Sequence, residues 1–273
     1  MTRRTVHVRR AALLLFGALA AAAADRGSLM LSGGGVLGPE ILLRFQQLAR
    51  NANASAVILI ADADCGVMPT PGNTFLSKLG FGVTILPGPQ PGGDDSELVR
   101  ILEDARAVWI AGGDPEALIA AYSGTRLADA LGRLLDRGGV VAGDSAGAGY
   151  LARVMIRRPA SGPGPRLDVS GLGLLPGIVI DPHFTARGRA AELLPLLRTR
   201  PELAGMGIDE NTAALIYDGT LEVVGGGSVI QYRLDARSPG GVAVDTWRSG
   251  TRVPWSGGGR AHRPKESHGR HLP

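Results

Sequence analysis

From Ser28 onward the chain alternates between two hydrophobic patterns. Short apolar runs, SLMLS (28–32), AVILIAD (56–62), GVTIL (82–86), AVWIAGG (107–113) and GVVAGD (139–144), predict strands. Between them, PEILLRFQQLAR (39–50), TFLSKL (74–79), SELVRILEDA (96–105) and RLADALGRLLDR (126–137) repeat apolar positions at helical spacing. Strands apolar on both faces and separated by helices predict a parallel sheet covered on two sides. The expected fold is therefore a single α/β domain, doubly wound, with a mostly parallel sheet and helices on both faces. GYLARVMI (149–156) reads as a further helix, and the Gly- and Pro-rich stretch 157–173 as a long loop. GIVID (177–181) precedes a helix at AAELLPLLRT (190–199). GMGIDE, TAALIYD, LEVVGG and SVIQYRL then predict short strands forming C-terminal β-hairpins on the sheet.

The two ends differ from this body. Residues 1–24 have four arginines before the apolar run AALLLFGALAAAAA and read as a signal peptide, too short for a comfortable membrane span. An uncleaved anchor is the rival reading, and TRRTVHV hints weakly at twin-arginine export. From 239 to 273 the composition shifts to Gly, Pro, Arg and His, which predicts a disordered basic tail. This leaves 25–238 as the folded domain, expected to be secreted or periplasmic with no membrane contact after signal cleavage. The formal net charge of +4 comes from the ends: the first 24 residues hold four arginines and no acid, and those from Arg248 onward hold six basic residues against Glu266. The segment between carries −5, so the basic balance predicts no nucleic-acid partner. Cys65 is the sole cysteine, which excludes an intrachain disulfide.

In open α/β sheets, chemistry gathers at the carboxyl ends of strands. Five such ends stand out: SGGGVLG (32–38), AGGDPE (111–116), GDSAG (143–147), IDPHF (180–184) and GIDEN (207–211). SGGGVLG is a literal G-x-G-x-x-G, and Asp62 and Asp64 end the next strand where a ribose-binding acid would stand. A dinucleotide site is thus one reading. Pro39 and Glu40, read as a first helical turn, start the helix too late for it, and Glu40 would repel phosphate. A tight glycine turn is the simpler account.

GDSAG fits the strand–turn–helix elbow that holds out a nucleophilic serine, here Ser145. Of five histidines, His7 lies in the presumed signal and His262, His268 and His271 in the presumed tail, so His183 is the one imidazole left to serve it. An orienting carboxylate is also needed. Glu210 is the better placed candidate; Asp181 is an orienter or a substrate contact, and Asp144 a cap for the following helix.

Together GGGVLGPEILLRFQQLA, AVWIAGGDPEAL, GDSAGAG, IDPHFTARGR and GIDENTAALI resemble, in order and spacing, the motifs of cyanophycinase-like serine peptidases (peptidase family S51), across residues 27–232. The resemblance implies a flavodoxin-like sheet akin to class I glutamine amidotransferases and a Ser145-His183-Glu210 triad. The implied reaction is cleavage of cyanophycin, a poly-aspartate with arginine on its side chains, to β-Asp-Arg. No metal and no cofactor is implied, exported members exist, and a homodimer is left open. The backbone N–H groups of Gly113 and Ala146 would form the oxyanion hole, with Asp114, Asp181, Arg187 and Arg189 binding substrate. Three positions depart from the family pattern: Pro115 and Pro182 replace side-chain amides, and Glu192 replaces a third arginine. A carboxylate there inverts a charge in the substrate clamp. Arg189 and Glu192, three apart, also fit a plain surface ion pair. The rival functions are an Asp-Xaa dipeptidase and a binding protein that has lost turnover.

Overall fold

The computed structural model describes residues 27–49, 55–60, 74–88, 95–159 and 164–255. The expected signal peptide, Asp62, Asp64, Cys65 and the chain beyond 255 lie outside them.

The first five strands are β1 (Ser28–Ser32), β2 (Ser55–Ile60), β3 (Gly82–Pro87), β4 (Ala107–Ile110) and β5 (Val140–Asp144). They lie parallel in the order β1-β5-β4-β2-β3. Between them run α1 (Pro39–Leu48), α2 (Phe75–Lys78), α3 (Ser96–Asp104), α4 (Pro115–Tyr122) and α5 (Leu127–Asp136). Alternate strand residues enter opposite cores, as the pleat demands. Leu29, Leu31, Val108, Ile110 and Val141 pack in one cluster with α3, α4 and α5. Met30, Trp109, Val140 and Ala142 pack in another with Ile41 and Phe45 of α1 and Leu76 of α2. Two filled faces make the sheet doubly wound, as expected. Helix α4 (PEALIAAY) is apolar nearly all round, so no stripe marks it in the sequence.

Four further strands depart from the predicted hairpins. After α6 (Ala146–Leu151), β8 (Ile178–Pro182) and β9 (Ala204–Ile208) run parallel to each other. With β12 (Ser228–Leu234) and β13 (Val242–Arg248) they form a separate four-stranded sheet. Its apolar side packs on α7 (Ala190–Thr199) through Val179, Phe184, Leu193 and Leu197. The hairpin of β10 (Thr212–Tyr217) and β11 (Thr220–Gly225) does extend the main sheet, antiparallel to β1, and β14 (Arg252–Pro254) adds its last strand.

Two other expectations change. The helix expected through Ile156 stops at Leu151; β6 (Met155–Arg157) takes up its end and pairs with β7 (Arg166–Asp168), which lies inside the segment read as a loop. Of the segment read as a disordered tail, residues 239–255 hold β13 and β14. Seven-residue pairing with β12 fixes β13, and Trp247, Val253 and Trp255 pack against the main core.

Candidate active site

The turn after β5 is sharp. Ser145 has φ 51° and ψ −116°, a conformation L-residues adopt only when the surroundings enforce it. Both flanking glycines are required by backbone contact: a Cβ on Gly143 would stand 2.4 Å from the Gly147 carbonyl oxygen, and one on Gly147 2.3 Å from that of Ile110. Ser145 is the N-cap of α6 but makes no side-chain cap bond. Its Oγ lies instead 2.7 Å from His183 Nε2, and His183 Nδ1 lies 2.7 Å from Glu210 Oε1. The imidazole is buried, while the Glu210 carboxylate is about half exposed.

One loop positions all three segments. Successive carbonyl oxygens of Ser32, Gly33 and Gly34 accept from the backbone N–H groups of Ser145 (3.0 Å), His183 (2.9 Å) and Asn211 (2.9 Å). Side chains on this loop would collide with what it holds. A Cβ on Gly33 would meet the Asp209 carbonyl oxygen at 2.0 Å, one on Gly34 His183 Cε1 at 2.5 Å, and one on Gly35 Glu210 Cβ at 3.0 Å. The glycine pattern therefore makes room for imidazole and carboxylate, not for a pyrophosphate. The start of α1 is engaged as well, since Gly38 N–H donates to Asn211 Oδ1 at 2.7 Å. The dinucleotide reading is displaced on both counts.

Gly113, at φ 136°, and Ala146 line a cavity of about 220 Å³ with Ser145 and His183, and neither N–H is engaged by another group among the described residues. Asp114 Oδ1 accepts from Glu116 N–H at 2.9 Å and caps α4, with Pro115 at the first helical position. Arg187 is exposed and lines the cavity. Asp181 is fully buried and makes no hydrogen bond to the imidazole among the described residues; it accepts from Arg189 Nη1 at 2.7 Å and Arg158 Nη2 at 2.8 Å. It neither orients His183 nor reaches the cavity as an open ligand. The simple Arg189–Glu192 pair is not formed, because Glu192 accepts from Arg158 Nε at 2.9 Å. Asp144 does not cap α6; it accepts from Ser32 Oγ at 2.6 Å. Burial pushes its carboxyl above the usual range, with the Ser32 bond and the His183 charge opposing.

A family model for peptidase family S51 matches residues 29–224. The chain belongs to that family. It is 32% identical over 222 residues to the cyanophycinase of Geminocystis herdmanii (strain PCC 6308), covering 75% of this chain and 79% of that one. It is 32% identical over 216 residues to the cyanophycinase of Synechococcus elongatus, covering 75% and 67%. The crystal structure of a peptidase from an acI-B1 actinobacterium shares the fold, with a TM-score of 0.63 at 22% identity over 85% of this chain and 98% of that one. The protein is thus a serine-type peptidase of the S51 family.

Within this S51 chain, sequence patterns pass over two charged cavity residues. Arg158, directly after β6, and Glu116, in the first turn of α4, both line the cavity. Arg157 binds Glu116 and, at 2.7 Å, Asp168. Glu116 sits at the end of AGGDPE and Arg158 in the stretch expected as a loop, and neither pattern marks a cavity residue. Among the described residues no cluster of three or more His, Cys, Asp or Glu is suited to a metal, and no helix is long and apolar enough to cross a membrane.

Proposed function

We propose that this S51 peptidase hydrolyses cyanophycin or related acidic and isoaspartyl peptides through an acyl-enzyme on Ser145. The observation that carries the reading is the serial hydrogen-bonded contact of Ser145 Oγ, His183 and Glu210. Ser145 Oγ attacks the scissile carbonyl carbon while its proton passes to His183 Nε2. Nδ1–H donates to Glu210 Oε1, which fixes the tautomer and stabilises the imidazolium. The carbonyl oxygen becomes an oxyanion held by the N–H groups of Ala146 and Gly113, and loss of one such donor typically costs about 100-fold or more. As the tetrahedral intermediate collapses, the C–N bond breaks and the leaving amine takes the proton from Nε2. Water, deprotonated by His183, then releases the acid and restores Ser145.

The kinship with cyanophycinases supports an aspartyl substrate, and the arginines beside the cavity suit its carboxylate. Residues 1–24 support export as a signal peptide, with hydrolysis outside the cytoplasm. The substrate reading is tested by mass spectrometry of products after incubation with cyanophycin, β-Asp-Arg and Asp-Xaa dipeptides. Release of β-Asp-Arg from cyanophycin is expected. Cleavage of Asp-Xaa alone would make the enzyme a dipeptidase, and no cleavage of any would overturn the reading.

A further inference from the structure

Beside the nucleophile, the cavity wall carries three guanidinium groups, on Arg158, Arg187 and Arg189. Their surroundings differ. Arg189 gives one N–H to Asp181. Arg158 bridges two acids that belong to different elements: Nη2 binds Asp181 of β8, and Nε binds Glu192 of α7. Neither acid lines the cavity, whereas Arg158 does, with its side chain 24% exposed. Its Nη1 makes no hydrogen bond among the described residues. A long, flexible side chain is thereby clamped from behind on two of its nitrogens, which removes much of the entropy it would lose on meeting a ligand.

We propose that Arg158 is a specificity-determining residue, which binds a free carboxylate carried by the acyl part of the substrate, and that Glu192 is its positioning residue. This rests on the aspartyl-peptide reading above. Glu192 then does not repel the substrate; its charge is spent on orienting the cation. Asp181 keeps Arg189 as a second partner, so it is not orphaned when Arg158 is altered. Arg157 cannot substitute, because it does not line the cavity and all three of its guanidinium nitrogens are engaged, by Glu116 and Asp168.

Binding separates this proposal from turnover. In a Ser145→Ala background, affinities are measured for acid and amide partners: Asp-Ala against Asn-Ala peptides, and β-Asp-Arg against its C-terminal amide. Adding Arg158→Ala is expected to weaken the acid ligands roughly tenfold or more and the amides by less than about twofold. Arg158→Lys, which keeps the charge but loses the fork, guards against a folding defect and should fall between. Glu192→Gln should weaken the acids a few-fold and leave the amides alone. Equal losses for acid and amide, or unchanged acid binding in the Arg158 variants, would overturn the proposal. Failure of the aspartyl-peptide reading would show separately, as intact acid-over-amide selectivity in binding with no turnover by the Ser145 enzyme.

Discussion

Gly34 lacks a side chain because the His183 imidazole occupies the place where one would begin, 2.5 Å from Cε1 to the ideal Cβ position and 2.6 Å from Nε2. Its φ of 84° also disfavours any L side chain. Gly34→Ala must displace the ring from Ser145 Oγ, strain the loop, or both. A loss in kcat of about 100-fold or more is expected, because misplacement by an ångström is enough. Gly219→Ala, at a positive φ but in open space, should retain full activity despite its backbone strain. Steady-state kinetics with near-native far-UV circular dichroism for both variants would check the contrast.

Glu210 reaches His183 from a strand end and is about half exposed, so replacing it need not disturb the core. Glu210→Gln preserves shape and removes the negative charge that stabilises the imidazolium. The expected cost is roughly 10²- to 10⁴-fold in kcat, with melting temperature changed little. A variant that retains most of its activity would remove Glu210 from the relay.

Away from the cavity, Glu222 joins Arg44, Tyr217 and Arg252 in one network. Burial pushes its carboxyl up, but hydrogen bonds from Arg44, Tyr217 and Arg252 outweigh that and hold it at about 2, below the ordinary 4.5. A depressed carboxylate contributes stability above its unfolded pKa and loses it as the pH falls from about 4.5 towards 2. Glu222→Gln should therefore melt lower than the parent at pH 7, with the gap closing over that window. Thermal scans from pH 7 to pH 2.5 would show it; a gap independent of pH would contradict the assignment.

Asp144 has the opposite sign. Burial raises its carboxyl above 3.8, so ionisation costs the folded state more as pH rises through the raised value. Asn at this position can still accept from Ser32 Oγ. Asp144→Asn is expected to melt higher than the parent at pH 7 and to converge with it near pH 4. A variant less stable than the parent at both values would show that the carboxylate is held by something beyond the Ser32 bond.

The nucleophile elbow was readable because glycine, serine and glycine at alternate positions after a β-branched run report a local backbone demand. His183 emerged by elimination, and Glu210 by its strand-end position and the family resemblance. What could not be read depends on contacts between distant segments. SGGG shows its glycines but not that an imidazole fills the space they leave. Asp181 and Arg158 are 23 positions apart, and nothing in either neighbourhood announces the pairing. Strands of three residues, such as β6 and β7, are too short for a periodicity to register. In β13 the half-buried face carries Asp245 and Trp247 while Val244 is exposed, so apolar and polar residues do not alternate with burial and no strand pattern registers.

Active-site labelling tests directly whether Ser145 is an activated nucleophile. The protein is treated with a fluorophosphonate and followed by intact-mass and peptide mass spectrometry. One adduct per chain is expected, on Ser145, absent in Ser145→Ala and formed roughly a thousandfold or more slowly in His183→Ala. An unlabelled Ser145, or equal labelling with and without His183, would contradict it.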